Sequence, residues 1–509
     1  MAKENKATKK TILEPYIGSY VLETLTTGMY AESRNALREY VQNSFDSIRA
    51  AVRGKIIKVS EGRIKVTLPD VNTISVQDNG TGLSAVSALG TLTAIGLSKK
   101  ARNKDAGFRG IGRLAGIAFC NTLSFRTKAS GEATETTVTF DCRSLRTAMT
   151  SGVEESQPLA QLLQDNVKSA TIHVSDAKAH YMVVTLKGLA QAPEEFKDLE
   201  SIRDYLMETA PVDFDPSWVA GKEIASKATA AGFPIESVSI HLGTNDQAAF
   251  PVYKAYQGSI ARKGGSVNIH EIKYFEGEES NWWAWVGLPD KPAMLTDERI
   301  NGIRVRVRNI QIGRTAILDE LFSEGNLSKE RFNKYYVGEV HIGDDQLIPN
   351  ARRDGFEDNS DWVIARRELR DVMCKPLAKR AYDLSKSLQK SIGVLSRDVA
   401  KLEKKVDSSK PIANDVRLEI LHSAGLIRKK ITSALADADG DTRVQLKSFV
   451  DSVDLVKQRL GATPASAAQI ASLRTEILSE VVKTTLGIVE PYLEPQVFGR
   501  VRKALAGLK

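Results

Sequence analysis

One stretch, Glu32–Ala51, constrains this chain more than any other. Set at helical angles, Leu37, Val41, Phe45 and Ile48 fall on one side, while Glu39, Asn43 and Asp46, at i, i+4 and i+7, fall together on the opposite side. Alone, that pattern describes an amphipathic helix with a solvated polar face. The residues downstream change the reading. An alternating strand, Thr73–Gln77, runs into Asp78-Asn79-Gly80-Thr81-Gly82, and further on Gly107-Phe108-Arg109-Gly110-Ile111-Gly112 opens an apolar stretch expected to be a helix. A carboxylate at a strand end, with glycines before a helix, is what a nucleotide site requires. Glycine lets backbone N–H groups approach phosphates, and a helix N-terminus favours their charge.

Three motifs then stand in order: Arg38-Glu39-x-x-x-Asn43-x-x-Asp46, Asp78-x-Gly80-x-Gly82, and Gly107-x-x-Gly110-x-Gly112. Together they resemble the GHKL ATPases, the group that contains gyrase B, the ninety-kilodalton heat-shock chaperones, MutL, MORC and the histidine kinases. The resemblance implies an α+β fold: a GHKL (Bergerat) α/β sandwich that binds ATP and Mg²⁺, an α/β middle or transducer domain, and a helical C-terminal domain. It also implies roles. Asp78 would accept a hydrogen bond from the adenine amino group, and Gly80 and Gly82 would admit the backbone close to the base. Asn43 would offer an oxygen to Mg²⁺, Glu39 would align and deprotonate the attacking water, and Asp46 would support the site. Gly107, Arg109, Gly110, Ile111 and Gly112 would cradle the phosphates. The polar, basic stretch from Ser84 to Ala106 would form a lid, from which Lys99 or Lys100 would reach a phosphate. A Gly-Thr pair that touches phosphate in many relatives is replaced here by Tyr181-Met182, with Thr185 the substitute if the strand register allows.

The length of 509 residues has room for two to four domains. The expected divisions are 11–210 for ATP binding, 211–360 for the middle domain and 361–509 for the helical domain. Composition is that of an ordinary globular protein, and no run of eighteen apolar residues suggests a membrane span. The first ten residues are basic without an apolar core, so they read as a short tail rather than a secretory signal. Cys120, Cys142 and Cys374 are too few and scattered for a disulfide framework or a zinc site, and a cytoplasmic location is expected.

In the middle region, Ile303, Val305 and Val307 alternate with Arg304, Arg306 and Arg308, which predicts a strand with one buried and one cationic face. The stretch Leu347–Glu357 resembles the middle domain of the heat-shock chaperones, where a similar loop sends an arginine to the ATP γ-phosphate. Arg353 is the candidate and Arg352 the reserve; an ordinary surface pair with Asp354 or Glu357 is the alternative. From Leu377 to Val406, apolar residues step by threes and fours as a coiled-coil-like seam that would serve a homodimer. Net charge is +8, and residues 361–509 carry about +9, enough to attract nucleic acid or to keep long helices soluble. The expected function is therefore an ATP-hydrolysing conformational machine that resembles a heat-shock chaperone and acts on a protein client or partner. The alternatives are a MutL- or MORC-like clamp on nucleic acid and an ATP-gated scaffold that does not hydrolyse.

Overall fold

The strand that ends at Asp78 lies inside an eight-stranded sheet. The protein is seen in a computed structural model that describes residues 17–18, 20–26, 28–29, 33–97, 109–150, 158–189, 192–245, 248–262, 265–291, 294–323, 327–343, 345–406, 412–438, 440–461 and 467–506. The strands of the first sheet are β1 (Arg63–Asp70), β2 (Thr73–Asp78), β3 (Thr122–Lys128), β4 (Thr134–Asp141), β5 (Val167–His173), β6 (Tyr181–Lys187), β7 (Ser239–Thr244) and β8 (Phe250–Val252). Their order is β5-β4-β3-β6-β2-β1-β7-β8. Pairing is antiparallel except for β1 with β7, which run parallel with Ile64 opposite Ile240. Strands from beyond residue 210 thus complete the sheet that carries Asp78.

The motif helix, Arg34–Arg53, lies on this sheet. Leu37, Val41, Phe45 and Ile48 are buried in one core with Ile64, Val66, Ile74 and Val76. Each such side chain contributes about 1.5–3 kcal/mol relative to exposure, so the apolar stripe fixes the helix and leaves its other side to line a cavity.

A six-stranded sheet comes next, with β9 (Ser259–Arg262), β10 (Gly265–Glu276), β11 (Trp282–Pro289), β12 (Gly302–Val307), β13 (Ile310–Ile312) and β14 (Val337–Ile342) in the order β13-β12-β14-β11-β10-β9. Both faces of β11 are buried, including Trp282, Trp283 and Trp285. β12 corrects an expectation. The arginine face is not a cationic surface: Arg304 and Arg306 are each 1 % exposed. Arg306 pairs with buried Glu339 and donates 2.8 Å to the Glu208 carbonyl, while Arg304 reaches the Glu208 carboxylate at 3.4 Å. The arginines join the second sheet to the helix Leu199–Thr209, because that helix supplies acceptors where solvent was expected.

Lys254 lies 2.7 Å from Glu339 with neither side chain exposed. Burial pushes the Glu339 carboxyl up, but Arg306 and Lys254 outweigh it and hold the group well below the ordinary 4.5. The stability it contributes is fully present above the unfolded value and is lost as pH falls through the folded one. Glu339→Gln strands two buried cations and is expected to cost about 3–5 kcal/mol at neutral pH. The gap to wild type in chemical denaturation should narrow below about pH 4.5; an unchanged gap would show that Glu339 is not held ionised.

The chain divides into two compact units, Met1–Ser385 and Lys386–Lys509, with the division inside the helix Lys375–Val406. Among its described residues the regular structure of the second unit is helical, with helices Asn414–Asp437, Gly440–Gly461, Ala467–Val489 and Pro495–Ala506. Within it, Ile392, Leu395, Val399 and Leu402 are buried in a core with Ile420, Ala424, Ile431 and Leu446. This part of the expected dimer seam is filled by the chain's own helices. Leu377 and Ala381 belong instead to the core of the second sheet. Among the described residues no helix is long and apolar enough to cross a membrane.

Candidate active site

A cavity of about 380 Å³ opens between the motif helix, the β2 end and the glycine segment, within the size range of small-molecule sites. Glu39, Asn43 and Asp46 line it from the helix, and Asp78 and Gly82 from the turn. Arg109, Gly110, Ile111 and Gly112 line it from the glycine segment, and Arg353 closes it from a loop more than two hundred residues further along. Lys99 and Gly107 lie outside the described residues.

The carboxylate of Asp78 is 2 % exposed and held on both oxygens. Ser44 Oγ donates to Oδ2 at 2.8 Å, and the Gly80 N–H donates to Oδ1 at 2.9 Å. Sequence reasoning assigned Ser44 no role, since neighbours one residue apart on a helix do not share a face. Phe125, Met182 and Val184 give the cavity apolar lining from β3 and β6. Strand alternation turns Thr185 the other way, 3.4 Å from the Ser75 hydroxyl, so it does not replace the missing Gly-Thr contact.

Two glycines serve packing. A Cβ on Gly80 would lie 2.1 Å from Ser47 Oγ, so this glycine lets the turn close onto the helix rather than onto a base. A Cβ on Gly112 would lie 2.0 Å from Glu39 Oε2, so the glycine segment is open where Glu39 needs room. The helix expected after the glycines is a short 3₁₀ helix, Gly112–Ala118. Tyr40 binds it tightly: its hydroxyl accepts from Gly116 N–H at 2.8 Å and donates to the Arg113 carbonyl at 3.2 Å. Arg113, also unanticipated, donates to the carbonyls of Leu97 at 2.9 Å, Gly110 at 3.0 Å and Thr91, tying the glycine segment to the helix Ala85–Thr93. Burial lowers its pKa from the usual 12.5.

Arg353 sits at the tip of a hairpin closed by a bridge between Pro349 and Phe356. Its φ is 59°, a conformation uncommon for a residue with a side chain. Two backbone bonds hold it there: Arg353 N–H to Asn350 O at 3.1 Å, and Gly313 N–H, at the end of β13, to Arg353 O at 2.7 Å. The guanidinium Nε lies 3.2 Å from Glu39 Oε1, with both side chains under a tenth exposed. Burial lowers the Arg353 pKa, and Glu39 acts against that shift. Arg352 is exposed, but its carbonyl accepts from Arg38 Nη2 at 3.1 Å. Arg109 points at the same hairpin, 2.5 Å from Glu357 and 3.4 Å from the Asn350 carbonyl. Three arginines thus join the motif helix and the glycine segment to the 349–357 loop, and Arg109 is as much a bridge as a cavity wall.

A comparison with curated proteins finds no match. Residues 30–171 match the family of histidine kinase-, DNA gyrase B-, and HSP90-like ATPases. The match spans the motif helix, the Asp78 turn and the glycine segment, so residues 30–171 are similar to the ATP-binding domain of the GHKL ATPases.

Proposed function

We propose that the chain binds and hydrolyses ATP, and that the 349–357 loop must stay docked for hydrolysis. The observation that carries this reading is the placement of Arg353 against Glu39, in the cavity that Asn43 and Asp78 also line.

Asp78, fixed by Ser44 and Gly80, presents acceptor lone pairs to an adenine amino group. Guanine carries a carbonyl oxygen at the equivalent position and would meet the carboxylate acceptor to acceptor. Phe125, Met182 and Val184, which line the cavity, would give the base apolar contact, and the glycine segment would face the phosphates. The oxygen donors at Asn43, Glu39 and Asp46 suit a hard cation. Asn43 is the residue that would hold Mg²⁺, which supplies neutralisation of charge across the phosphates. In the structure Arg353 is paired with Glu39. An incoming γ-phosphate offers the guanidinium a competing anion whose oxygens match its fork. Arg353 then stabilises charge developing on the phosphate, and Glu39 is released to take the proton of the attacking water. The exchange couples triphosphate binding to the loop, and through Gly313 to the second sheet.

The chaperone-like machine is the first reading of what this coupling serves. The charge of about +9 on residues 361–509 favours a nucleic-acid clamp as the second. The shared step is tested at Asp78. Asp78→Asn can present a donor where an acceptor is needed, so ATP affinity measured by calorimetry should fall about tenfold or more. Unchanged affinity would remove adenine from this end of the cavity.

A further inference from the structure

At the end of β3 lies a buried cation that the proposed reaction does not use. Lys128 is 1 % exposed. Its ammonium donates to the carbonyls of Glu132 and Ala179, each at 2.7 Å, with those of Ala177 and Ala129 at 3.3 and 3.4 Å. Among the described residues these partners are all backbone oxygens. A buried charge without a counter-ion is costly unless dipoles replace its hydration. Here the loops 129–132 and 177–179 supply those dipoles. The result is a carbonyl cage of the kind that holds a monovalent cation, with the charge delivered by a side chain.

The residues that leave the cage hold the turn at Asp78. Glu132 gives its carbonyl to Lys128 and accepts from Ala85 N–H with its carboxylate at 3.0 Å. His180 comes directly after Ala179 and donates through Nδ1–H to the Gly80 carbonyl at 2.7 Å, since a carbonyl can only accept. Gly82 has φ 61°, and a Cβ there would lie 1.9 Å from the Lys128 carbonyl oxygen. The turn therefore sits on the backbone of Lys128 itself. Thr127 adds one more tie, its Oγ1 accepting from Leu83 N–H at 2.8 Å and donating to Tyr181 O at 3.1 Å.

We propose that Lys128 is a positioning residue for the nucleotide turn: its ammonium acts as a built-in monovalent cation that draws the two loops together and so fixes Gly80 and Gly82 at the adenine end of the cavity. The proposal rests on the nucleotide reading of that cavity. A side chain that merely filled space would be replaced by any apolar group, whereas a built-in cation is replaced by a free one.

The test is ADP binding by calorimetry on the full chain, in choline, potassium or methylammonium chloride at equal ionic strength. Wild type should bind equally in all three. Lys128→Ala should bind about tenfold or more weakly in choline, the effect of losing a buried charge-assisted contact, and should regain most of that affinity in methylammonium or potassium. Wild-type affinity for Lys128→Ala in choline, or a loss that neither small cation reverses, would overturn the proposal. Absence of ADP binding by wild type would instead remove the nucleotide reading beneath it. Should Lys128→Ala not accumulate as folded protein, His180→Phe decides, because it leaves the cage intact and cuts its link to Gly80. About fivefold weaker ADP binding at an unchanged melting temperature is expected, and wild-type affinity there would overturn the proposal.

Discussion

Glu39→Gln should leave ATP binding within a few-fold of wild type and lower kcat by about a hundredfold or more, the usual contribution of a positioned general base. Glutamine is the informative replacement because Glu39 is paired with buried Arg353 at 3.2 Å. Alanine would remove the Glu39 contact of that buried guanidinium and confuse loss of the base with loss of docking. Glutamine keeps the volume and an acceptor oxygen but cannot take a proton from water. Intact turnover in this variant would make Glu39 a docking residue only and place the base elsewhere.

The second large effect is expected at Arg353. Arg353→Met keeps the length of the stem and removes the charge, and kcat should fall by about a hundred- to a thousandfold, in the range found for cationic groups that stabilise phosphoryl transfer. ATP binding should persist, since Asp78 and the glycine segment lie on other elements. Steady-state hydrolysis and equilibrium binding measured on one preparation separate the two. A variant with normal kcat would leave Arg353 as a structural tie between loop and helix, of the kind Arg38 and Arg109 also make.

The core of the site was legible because its signals are local. The apolar stripe of the motif helix, the alternation of β2 and the glycine spacing each depend on neighbours a few residues away. Those signals placed Glu39, Asn43, Asp46 and Asp78 around one cavity. What stayed hidden depends on distant partners. The arginines of β12 alternate like a surface strand, and only the folded chain brings Glu208 and Glu339 to them. The parallel pairing of β1 with β7 joins segments about 175 residues apart, which no local pattern announces. The seam after Leu377 has the spacing of a dimer helix, but its period cannot say whether the facing helix belongs to the same chain, and here it does. Of Arg352 and Arg353 only the latter lines the cavity, from a backbone conformation, φ 59°, that no local pattern announces. Lys128 gave no signal, because its partners are carbonyls and a carbonyl has no sequence.

The most direct test is a structure of the full chain with Mg²⁺ and a non-hydrolysable ATP analogue. The adenine amino group should lie within hydrogen-bond distance of Asp78, the phosphates should run along Gly110–Gly112, and the metal should face Asn43. Arg353 should have moved from Glu39 to the γ-phosphate, leaving Glu39 beside the water in line for attack. A nucleotide bound outside this cavity, or one bound within it while the Arg353–Glu39 pair stays closed, would contradict the account.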